Sequence, residues 1–305
     1  MRPTLFSIGS GAHSLPIHSY GLLIAGGAVL GVALAVRRGR SVGIATGASL
    51  DLTFYALVTG LLGARIAYVL LHAGEYARLC DGAGLPRSIG KTVSDCTAAL
   101  RFWQGGLVFL GGALLAALVI LLFARRKGLG LGNVADVLAP SVSLAHVFGR
   151  LGCFMAGCCY GKPWAAGVRF PPDSVAYSEL LTRRAIFAGA ECTPGLHPTQ
   201  LYEAAGEVLI FVGLLWLWRR RKFPGAVALA YAGAYGVLRF FLEILRDDMV
   251  RGFVFQLRLP GLARLLGLPP SDPLFLSSAQ ATALALVATA AIAYSILRRR
   301  VSPPQ

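Results

Sequence analysis

Seven long apolar stretches divide this chain and restrict it to folds that cross a lipid bilayer. A helix needs roughly 20 apolar residues to span about 30 Å of hydrocarbon. The composition agrees, because 56% of the 305 residues are hydrophobic, 14% are charged and the mean hydropathy is +0.65. We predict an all-α, polytopic membrane protein in which residues 1–305 form a single domain. The predicted spans are residues 17–36, 50–72, 105–124, 134–157, 201–218, 225–245 and 276–297.

Clusters of lysine and arginine occupy alternate gaps between these stretches, and the same gaps contain no acidic residue. Basic loops mark the cytoplasmic side of a membrane protein, so this pattern predicts an outer N-terminus and a cytoplasmic C-terminus. The formal net charge of +15 is then a topology signal, and we expect no nucleic-acid partner. The clusters are Arg37, Arg38 and Arg40; Arg125, Arg126 and Lys127; Arg219, Arg220, Arg221 and Lys222; and Arg298, Arg299 and Arg300.

The gaps on the predicted outer side are longer and mix both charge signs. They comprise residues 73–104, 158–200 and 246–275. Loops of this length are usually either functional or disordered. Because the middle gap is rich in proline and aromatic residues, we predict a small ordered extracytoplasmic head over residues 158–200.

The six cysteines fall into groups with different expectations. Cys80 and Cys96 share an outer loop, where oxidising conditions would allow a disulfide. Cys153, Cys158 and Cys159 lie near His146 and His197 in the sequence, but their spacing fits no standard zinc pattern. We therefore predict small thiols packed at a helix end, with no metal and no nucleophilic cysteine of the protein's own.

Ionisable residues inside the spans are the main candidates for a functional site, since charge is costly in hydrocarbon. Only Asp136 falls at an inner end, and most of the others, with Tyr20 and Leu110, fall in outer halves. Polar residues at the depth of the outer leaflet suit the binding of a lipid headgroup. A guanidinium in particular suits a phosphodiester, because its planar fork binds two oxygens. The residues are Arg65, Asp136, His146, Arg150, Glu203, Glu207, Arg239 and Glu243.

A structural explanation of these charges stays open. Arg239 and Glu243 are four residues apart on one predicted helix and can neutralise each other. Glu203 and Glu207 share a helix face and can pair with arginines of other spans as structural ion pairs. His146 on its own is typical of a packed helix histidine.

Several sequence runs resemble the signatures of prolipoprotein diacylglyceryl transferases. The strongest are residues 149–161 (GRLGCFMAGCCYG), 197–203 (HPTQLYE) and 235–243 (YGVLRFFLE). Weaker similarities are residues 20–21 (YG), 63–66 (GARI) and 105–112 (GGLVFLGG). The runs follow one another in order over most of the chain, which is more specific than any one short motif.

The resemblance implies a transfer of the diacylglyceryl group from phosphatidylglycerol to the lipobox cysteine of a preprolipoprotein signal peptide. The products would be a thioether-linked lipid and glycerol phosphate, with no cofactor. The expected location is the bacterial cytoplasmic (inner) membrane, with the site facing the outer leaflet. Combined with the buried charges, the resemblance assigns catalysis to Arg150, Arg239, Glu243 and His146. It assigns phosphatidylglycerol binding to Arg150, Arg239, Tyr20, Tyr235, Glu203, Gly161 and Arg65.

Two positions depart from the family pattern. Leu110 stands where some members carry a histidine implicated in proton transfer, and Cys153 replaces the usual asparagine. The general base therefore stays open among His146, Glu243 and a water held by Glu203. We also hypothesise that Trp164 and Phe170 of the head contact the signal peptide.

Two other functions stay in consideration. One is a relative that uses the same lipid with another acceptor, or an inactive copy, which the Leu110 and Cys153 changes favour. The other is a lipid transporter or channel. Transporters often show internal repeats and charges at the bilayer midplane, and the sequence shows neither.

Overall fold

A computed structural model describes the backbone of residues 4–8, 15–74, 76, 100, 106–247, 252–257, 259–261 and 275–301. Helices dominate this part of the chain. They are α1 (Ser19–Arg40), α2 (Thr46–Leu71), α3 (Phe109–Arg126), α4 (Leu131–Ala156), α5 (Val175–Thr182), α6 (Thr199–Trp218), α7 (Ala226–Leu245) and α8 (Ser278–Val301). Short strands lie outside the long helices: β1 (Thr4–Ile8), β2 (Leu15–His18), β3 (Pro163–Val168), β4 (Phe253–Leu257) and β5 (Phe275–Ser277). Antiparallel pairs form between β1 and β2 and between β4 and β5.

Seven of these helices are long and apolar enough to cross a membrane, which confirms the predicted spans. Every helix boundary lies within four residues of its predicted position. The remaining helix, α5, has 8 residues and lies in the head. The placement of the two termini relative to the membrane stays a prediction.

The chain separates into two compact units, residues 38–134 and residues 1–37 with 135–305. In the first unit, α2 and α3 pack through glycines of the weaker motifs. A Cβ atom at Gly63 would lie 2.5 Å from the carbonyl oxygen of Gly111, and one at Gly112 would lie 2.5 Å from that of Gly60. Small residues let two membrane helices approach this closely. The glycines of both motifs therefore serve helix packing.

In the second unit, α4, α6, α7 and α8 contribute the core, and α1 packs on α4. Ala139, Leu214 and Val227 form a buried apolar cluster of α4, α6 and α7. A Cβ atom at Gly31 of α1 would lie 3.1 Å from the Ser141 carbonyl oxygen of α4. On the far side of α7, Gly236 lies against Ala283 of α8.

Asp136 joins α4 to the beginning of α7. Its side chain is fully buried and pairs with Arg221, whose Nη1 lies 2.8 Å from Oδ2. The carboxylate also accepts hydrogen bonds at 2.9 Å from the backbone N–H groups of Gly225, Val227 and Ala228. The first N–H groups of a helix have no partner within it. Asp136 therefore caps α7 from another helix, next to a basic cluster, and its inner position stays a prediction.

Residues 158–200 form an ordered segment with its own small core, as the sequence predicts. Tyr160, Phe170, Leu180 and Leu196 are buried together there. Ser174 begins α5, and its hydroxyl accepts a hydrogen bond from the Tyr177 N–H at 3.2 Å. A side-chain oxygen at this position satisfies one of the free N–H groups of the helix.

Replacing Asp136 with alanine should strongly destabilise the protein, because it leaves Arg221 and three N–H groups without their acceptor. Removing one partner of a buried ion pair costs about 3–5 kcal/mol. Asp136→Asn, which keeps one acceptor oxygen, should fall between alanine and the unaltered protein. Unfolding midpoints in detergent measure the effect. Asp51→Ala removes an exposed acid and is the matched control; equal midpoints for both alanine variants would contradict the capping role.

Candidate active site

The charged residues of the second unit gather where α4 and α7 end and α6 and α8 begin. Arg150 lies six residues before the end of α4, and Glu203 lies four residues after the start of α6. At about 1.5 Å per residue, these positions are roughly 6–9 Å inside the helix ends. Arg239 and Glu243 occupy the last two turns of α7. The predicted convergence of charge at one level is therefore present in this unit.

Arg150 is the centre of a buried network between α4 and α6. Its Nη2 lies 3.0 Å from Oε1 of Glu203, and its Nε donates to Nε2 of His146 at 3.1 Å. His146 Nδ1 lies 2.9 Å from Oε1 of Glu207. Both glutamates are at most 1% exposed. The network therefore brings two buried carboxylates against a guanidinium and an imidazole.

His146 is held by different partners on its two ring nitrogens. Nε2 accepts from the Arg150 guanidinium, which has no lone pair to offer in return. Nδ1 then carries the proton and lies 2.9 Å from Oε1 of Glu207, a close contact without hydrogen-bond geometry. Ser143 fixes the far oxygen of that carboxylate, with its hydroxyl donating to Oε2 at 2.6 Å. The result is a chain from Ser143 through Glu207 and His146 to Arg150.

Arg239 forms a second charged group with Glu243. Nη2 of Arg239 lies 2.8 Å from Oε2 of Glu243, so the predicted pairing along one helix is confirmed. Glu243 also accepts from the Ser277 hydroxyl at 3.2 Å. The other terminal nitrogen of Arg239, Nη1, is buried and has no hydrogen-bond partner among the described residues. One buried cationic donor is thus available for an anion.

Tyr235 lies between the two arginine groups. Its ring centroid is 5.4 Å from that of His146. Electrostatic interactions connect its hydroxyl with Glu203, Arg150 and Arg239. Tyr20 reaches the same region from α1, because its ring and backbone lie against Gly152 and its hydroxyl interacts with Arg150. Both predicted tyrosines therefore join the group.

The structure adds site residues that the sequence-based assignment omitted. Glu207, noted only as a buried charge, supports His146. Arg246 is buried directly after α7 and interacts electrostatically with Arg150. The signal for Arg246 is its spacing, since it follows Arg239 by seven residues and Glu243 by three, and so shares their helix face.

Gly161 joins three segments around the site. Its N–H donates to the His197 carbonyl at 2.9 Å, and it forms a bridge with Arg246. A Cβ atom there would lie 2.5 Å from the carbonyl oxygen of Leu245 and 2.8 Å from Cβ of His197. A side chain would force these segments apart. The geometry gives Gly161 a packing role, and its predicted contact with lipid stays a prediction.

Arg65 belongs to the unit of residues 38–134. Its Nη1 donates to the Gly106 carbonyl at 3.0 Å, and its Nη2 lies 3.3 Å from the Tyr76 hydroxyl. A groove of about 330 Å³ runs beside it and is almost entirely apolar. The other lining residues are Leu61, Leu62, Ile66, Val69, Leu70 and Leu100. Leu110, in the same unit, is 63% exposed on α3.

The structure contradicts one prediction about the head, and a prediction about the gap of residues 73–104 lies outside the described residues. Phe170 is fully buried in the core of the head, so its predicted contact with a peptide is wrong. Trp164 is 38% exposed and stacks on His197, with ring centroids 4.7 Å apart. Cys80 and Cys96, predicted as a possible disulfide, lie outside the residues that the structure describes.

Seven apolar helices define a multi-pass membrane protein, and the buried arginine–carboxylate group near the ends of α4, α6 and α7 is suited to an anion. The family model for prolipoprotein diacylglyceryl transferase matches residues 3–296. The chain therefore belongs to the prolipoprotein diacylglyceryl transferase family, as the resemblance predicts.

Individual relatives agree with the family match. A phosphatidylglycerol–prolipoprotein diacylglyceryl transferase of Clostridium tetani is 30% identical over 250 residues, which is 81% of this chain and 86% of the relative. One from Xanthomonas euvesicatoria pv. vesicatoria is 32% identical over 252 residues, covering 80% of this chain and 79% of the relative. The similarity thus extends over most of both proteins.

Proposed function

We propose that this protein transfers the diacylglyceryl group of phosphatidylglycerol to the lipobox cysteine of a preprolipoprotein signal peptide. Family membership supports the reaction class, and the names of the relatives support the two substrates. The observation that carries the proposal for this chain is the buried Nη1 of Arg239, a cationic donor without an acceptor among the described residues. It lies at the same helix ends as the network of Arg150.

The phosphate of the donor lipid binds between Arg150 and Arg239. Guanidinium groups stay charged in apolar surroundings and match phosphate oxygens in geometry. Tyr235, which interacts with both arginines, contributes a hydroxyl to the same anion. Glu203 and Glu243 hold the guanidinium groups in place before the lipid arrives. Preorganised donors of this kind need no rearrangement when charge develops.

The chemical step is a displacement at the glycerol carbon that carries the phosphate. The cysteine thiolate of the peptide forms a C–S bond, and the C–O bond to the phosphate breaks with its electron pair on oxygen. The thiol proton leaves to a base, and glycerol phosphate departs. Arginines stabilise the charge that gathers on the phosphate. They also lower the pKa of a nearby substrate thiol, which favours the nucleophilic thiolate.

His146 acts by positioning Arg150, in place of the base role that the sequence left open for it. Its Nε2 lone pair is engaged by Arg150, and its Nδ1 lies close to the carboxylate of Glu207. A base needs a lone pair directed at the substrate proton. Glu243, or a water held by Glu203, is left for proton transfer, and Leu110 has no group that accepts a proton.

Arg65 and the apolar groove beside it bind donor lipid as well. The groove of about 330 Å³ has an almost wholly apolar lining, which suits part of an acyl chain. Arg65 at its edge suits the adjoining polar headgroup. The evidence for this lipid-binding groove comes only from residues of the unit 38–134.

The peptide substrate approaches through the head. Trp164 offers a partly exposed indole, fixed by stacking on His197. Aromatic side chains held in this way provide contact area at low cost in conformational entropy. The basic clusters support a cytoplasmic position for Asp136 and for the turn that contains Arg221. The arginine site then faces the outer leaflet of the bacterial inner membrane, where signal peptides emerge.

Replacing Arg150 with alanine should lower the rate of transfer by about 10²–10³, as for the loss of one preorganised donor. Arg150→Lys, which keeps the charge but loses the planar fork, should retain more activity than alanine. The assay follows glycerol phosphate release from phosphatidylglycerol in micelles, with a lipobox peptide and with its cysteine-to-serine counterpart.

Arg298→Ala is the control for that assay, because it removes an exposed arginine near the opposite end of α8. Release that needs the peptide cysteine and fails only in the Arg150 variants supports the transferase. If well-folded protein releases nothing with this peptide, the proposed acceptor is wrong, which favours the alternative of another acceptor or an inactive copy.

His146→Gln should reduce the rate less than about tenfold, because an amide can donate to Glu207 and accept from Arg150. His146→Ala should approach the Arg150 variants. If His146 were the general base, both substitutions would lower the rate equally, by about 10²–10⁴. The pH dependence of kcat/KM separates the roles. If His146 only positions Arg150, the His146→Gln variant keeps the acid limb of the profile. If His146 is the base, this limb disappears in the variant.

Trp164→Ala should raise KM for the lipobox peptide about threefold to tenfold with little change in kcat, matching roughly 0.5–1.5 kcal/mol for an aromatic contact. Trp164→Phe should restore most of the loss. Trp216→Ala is the matched control, since Trp216 is exposed in the last turn of α6. An unchanged KM in Trp164→Ala would remove this residue from the peptide-binding surface.

A further inference from the structure

Three cysteine side chains meet at the end of α4. The sulfur atoms of Cys153, Cys158 and Cys159 all lie within 4.8 Å of one another, and we call this group the thiol cluster. Each of the three residues is partly buried. Within the described part of the chain, no histidine or carboxylate belongs to the group, and Cys192 lies apart from it. His146 and His197, which lie near these cysteines in the sequence, are not members of the group.

The helix ending brings the first two thiols together. Gly157 has φ 76° and follows the last residue of α4. Its N–H donates to the Phe154 carbonyl at 3.2 Å, and the Cys158 N–H donates to the Cys153 carbonyl at 3.1 Å. This pair of bonds defines a Schellman ending, in which the side chains of the two residues joined by the outer bond make contact. Cys158 is therefore folded back onto Cys153.

Cys159 reaches the cluster through an unusual backbone conformation. Its φ is 58°, in the left-handed region that residues with a Cβ seldom adopt. Two buried side chains at the start of α6 hold this turn. The Thr199 hydroxyl donates to the Cys159 carbonyl at 2.8 Å, and the Gln200 amide donates to the Cys158 carbonyl at 2.6 Å. Strained residues persist only where their surroundings hold them, and they concentrate at functional sites.

Positive charges lie near the cluster. Arg246 and Arg150 both interact electrostatically with Cys159. The thiolate is the form of cysteine that binds metals. Two nearby arginines also offset the negative charge that three thiolates would gather around one cation.

We propose that the thiol cluster binds one thiophilic metal ion, Cu(I) or Zn²⁺, through the sulfur atoms of Cys153, Cys158 and Cys159. Metal–sulfur bonds of about 2.3 Å around a common ion separate the sulfurs by roughly 4 Å. Small rotations of the three side chains therefore complete the site. Thiolate ligands select these soft ions over Mg²⁺ or Ca²⁺. Three sulfurs alone suit Cu(I), whereas Zn²⁺ would take water as a fourth ligand.

Two reciprocal variants test the proposal, each keeping three of the six cysteines. The cluster-only variant combines Cys80→Ser, Cys96→Ser and Cys192→Ser. The cluster-free variant combines Cys153→Ser, Cys158→Ser and Cys159→Ser. Both are purified as full chains in detergent, reduced under anaerobic conditions, and incubated separately with Cu(I) and with Zn²⁺. Metal per chain is measured after removal of unbound ion, and size-exclusion chromatography checks that each variant is monodisperse.

The cluster-only variant should retain about one ion per chain, and X-ray absorption should find a sulfur shell at about 2.3 Å. The cluster-free variant should retain almost none. Retention of Cu(I) with three sulfurs, or of Zn²⁺ with three sulfurs and one oxygen, supports the site and identifies the ion. A monodisperse cluster-only variant that retains neither ion overturns the proposal. Equal retention by both variants also overturns it, because the metal would then bind elsewhere.

Discussion

The cost of placing charge among apolar helices governs the site of this protein. An unpaired ion in such surroundings is strongly unfavourable, and removing one member of a buried pair leaves the other uncompensated. Arg150 accordingly has Glu203 and His146, and Glu207 completes the chain through His146. The arrangement of α4 against α6 follows from satisfying these groups together. The same pairing fixes each guanidinium before an anion binds.

The opposite end of the same unit uses a carboxylate differently. Asp136 accepts from the first N–H groups of α7 and from Arg221, so one charge holds two helices and a basic turn. At the end that contains Arg150 and Arg239, both arginines pair with carboxylates. Nη1 of Arg239 has no hydrogen-bond partner among the described residues. At the Asp136 end, both carboxylate oxygens are engaged by hydrogen bonds. The first end is thus suited to binding and the second to holding the fold.

Sequence reasoning predicts the local features well, because hydropathy over about 20 residues is itself the physical requirement for a membrane span. It places Arg150, Glu203 and Arg239 at one level for the same reason. The pairing of His146 with Glu207 depends on how two helices are rotated, which hydropathy does not encode. Asp136 shows the same limit, since it caps a helix 89 residues away in the chain.

Loops are harder to predict than spans, for a related reason. The hypothesis that Phe170 contacts a peptide fails because Leu180 and Leu196 pack with it in the core of the head, and these contacts are distant in the sequence. The thiol cluster depends on two left-handed residues, Gly157 and Cys159. Glycine signals such a turn in the sequence, whereas a cysteine gives no such signal. Arg246 lies directly after α7 and outside the predicted span, although its spacing of three residues from Glu243 indicates the same helix face.

The turn after α4 and the first turn of α6 are joined by hydrogen bonds. Thr199 and Gln200 hold the carbonyls of Cys159 and Cys158, and Glu203 follows on the same helix one turn later. The position of Glu203, and with it the orientation of Arg150, therefore depends on how the head folds, because the hydrogen bonds that hold the turn of the head come from the same helix.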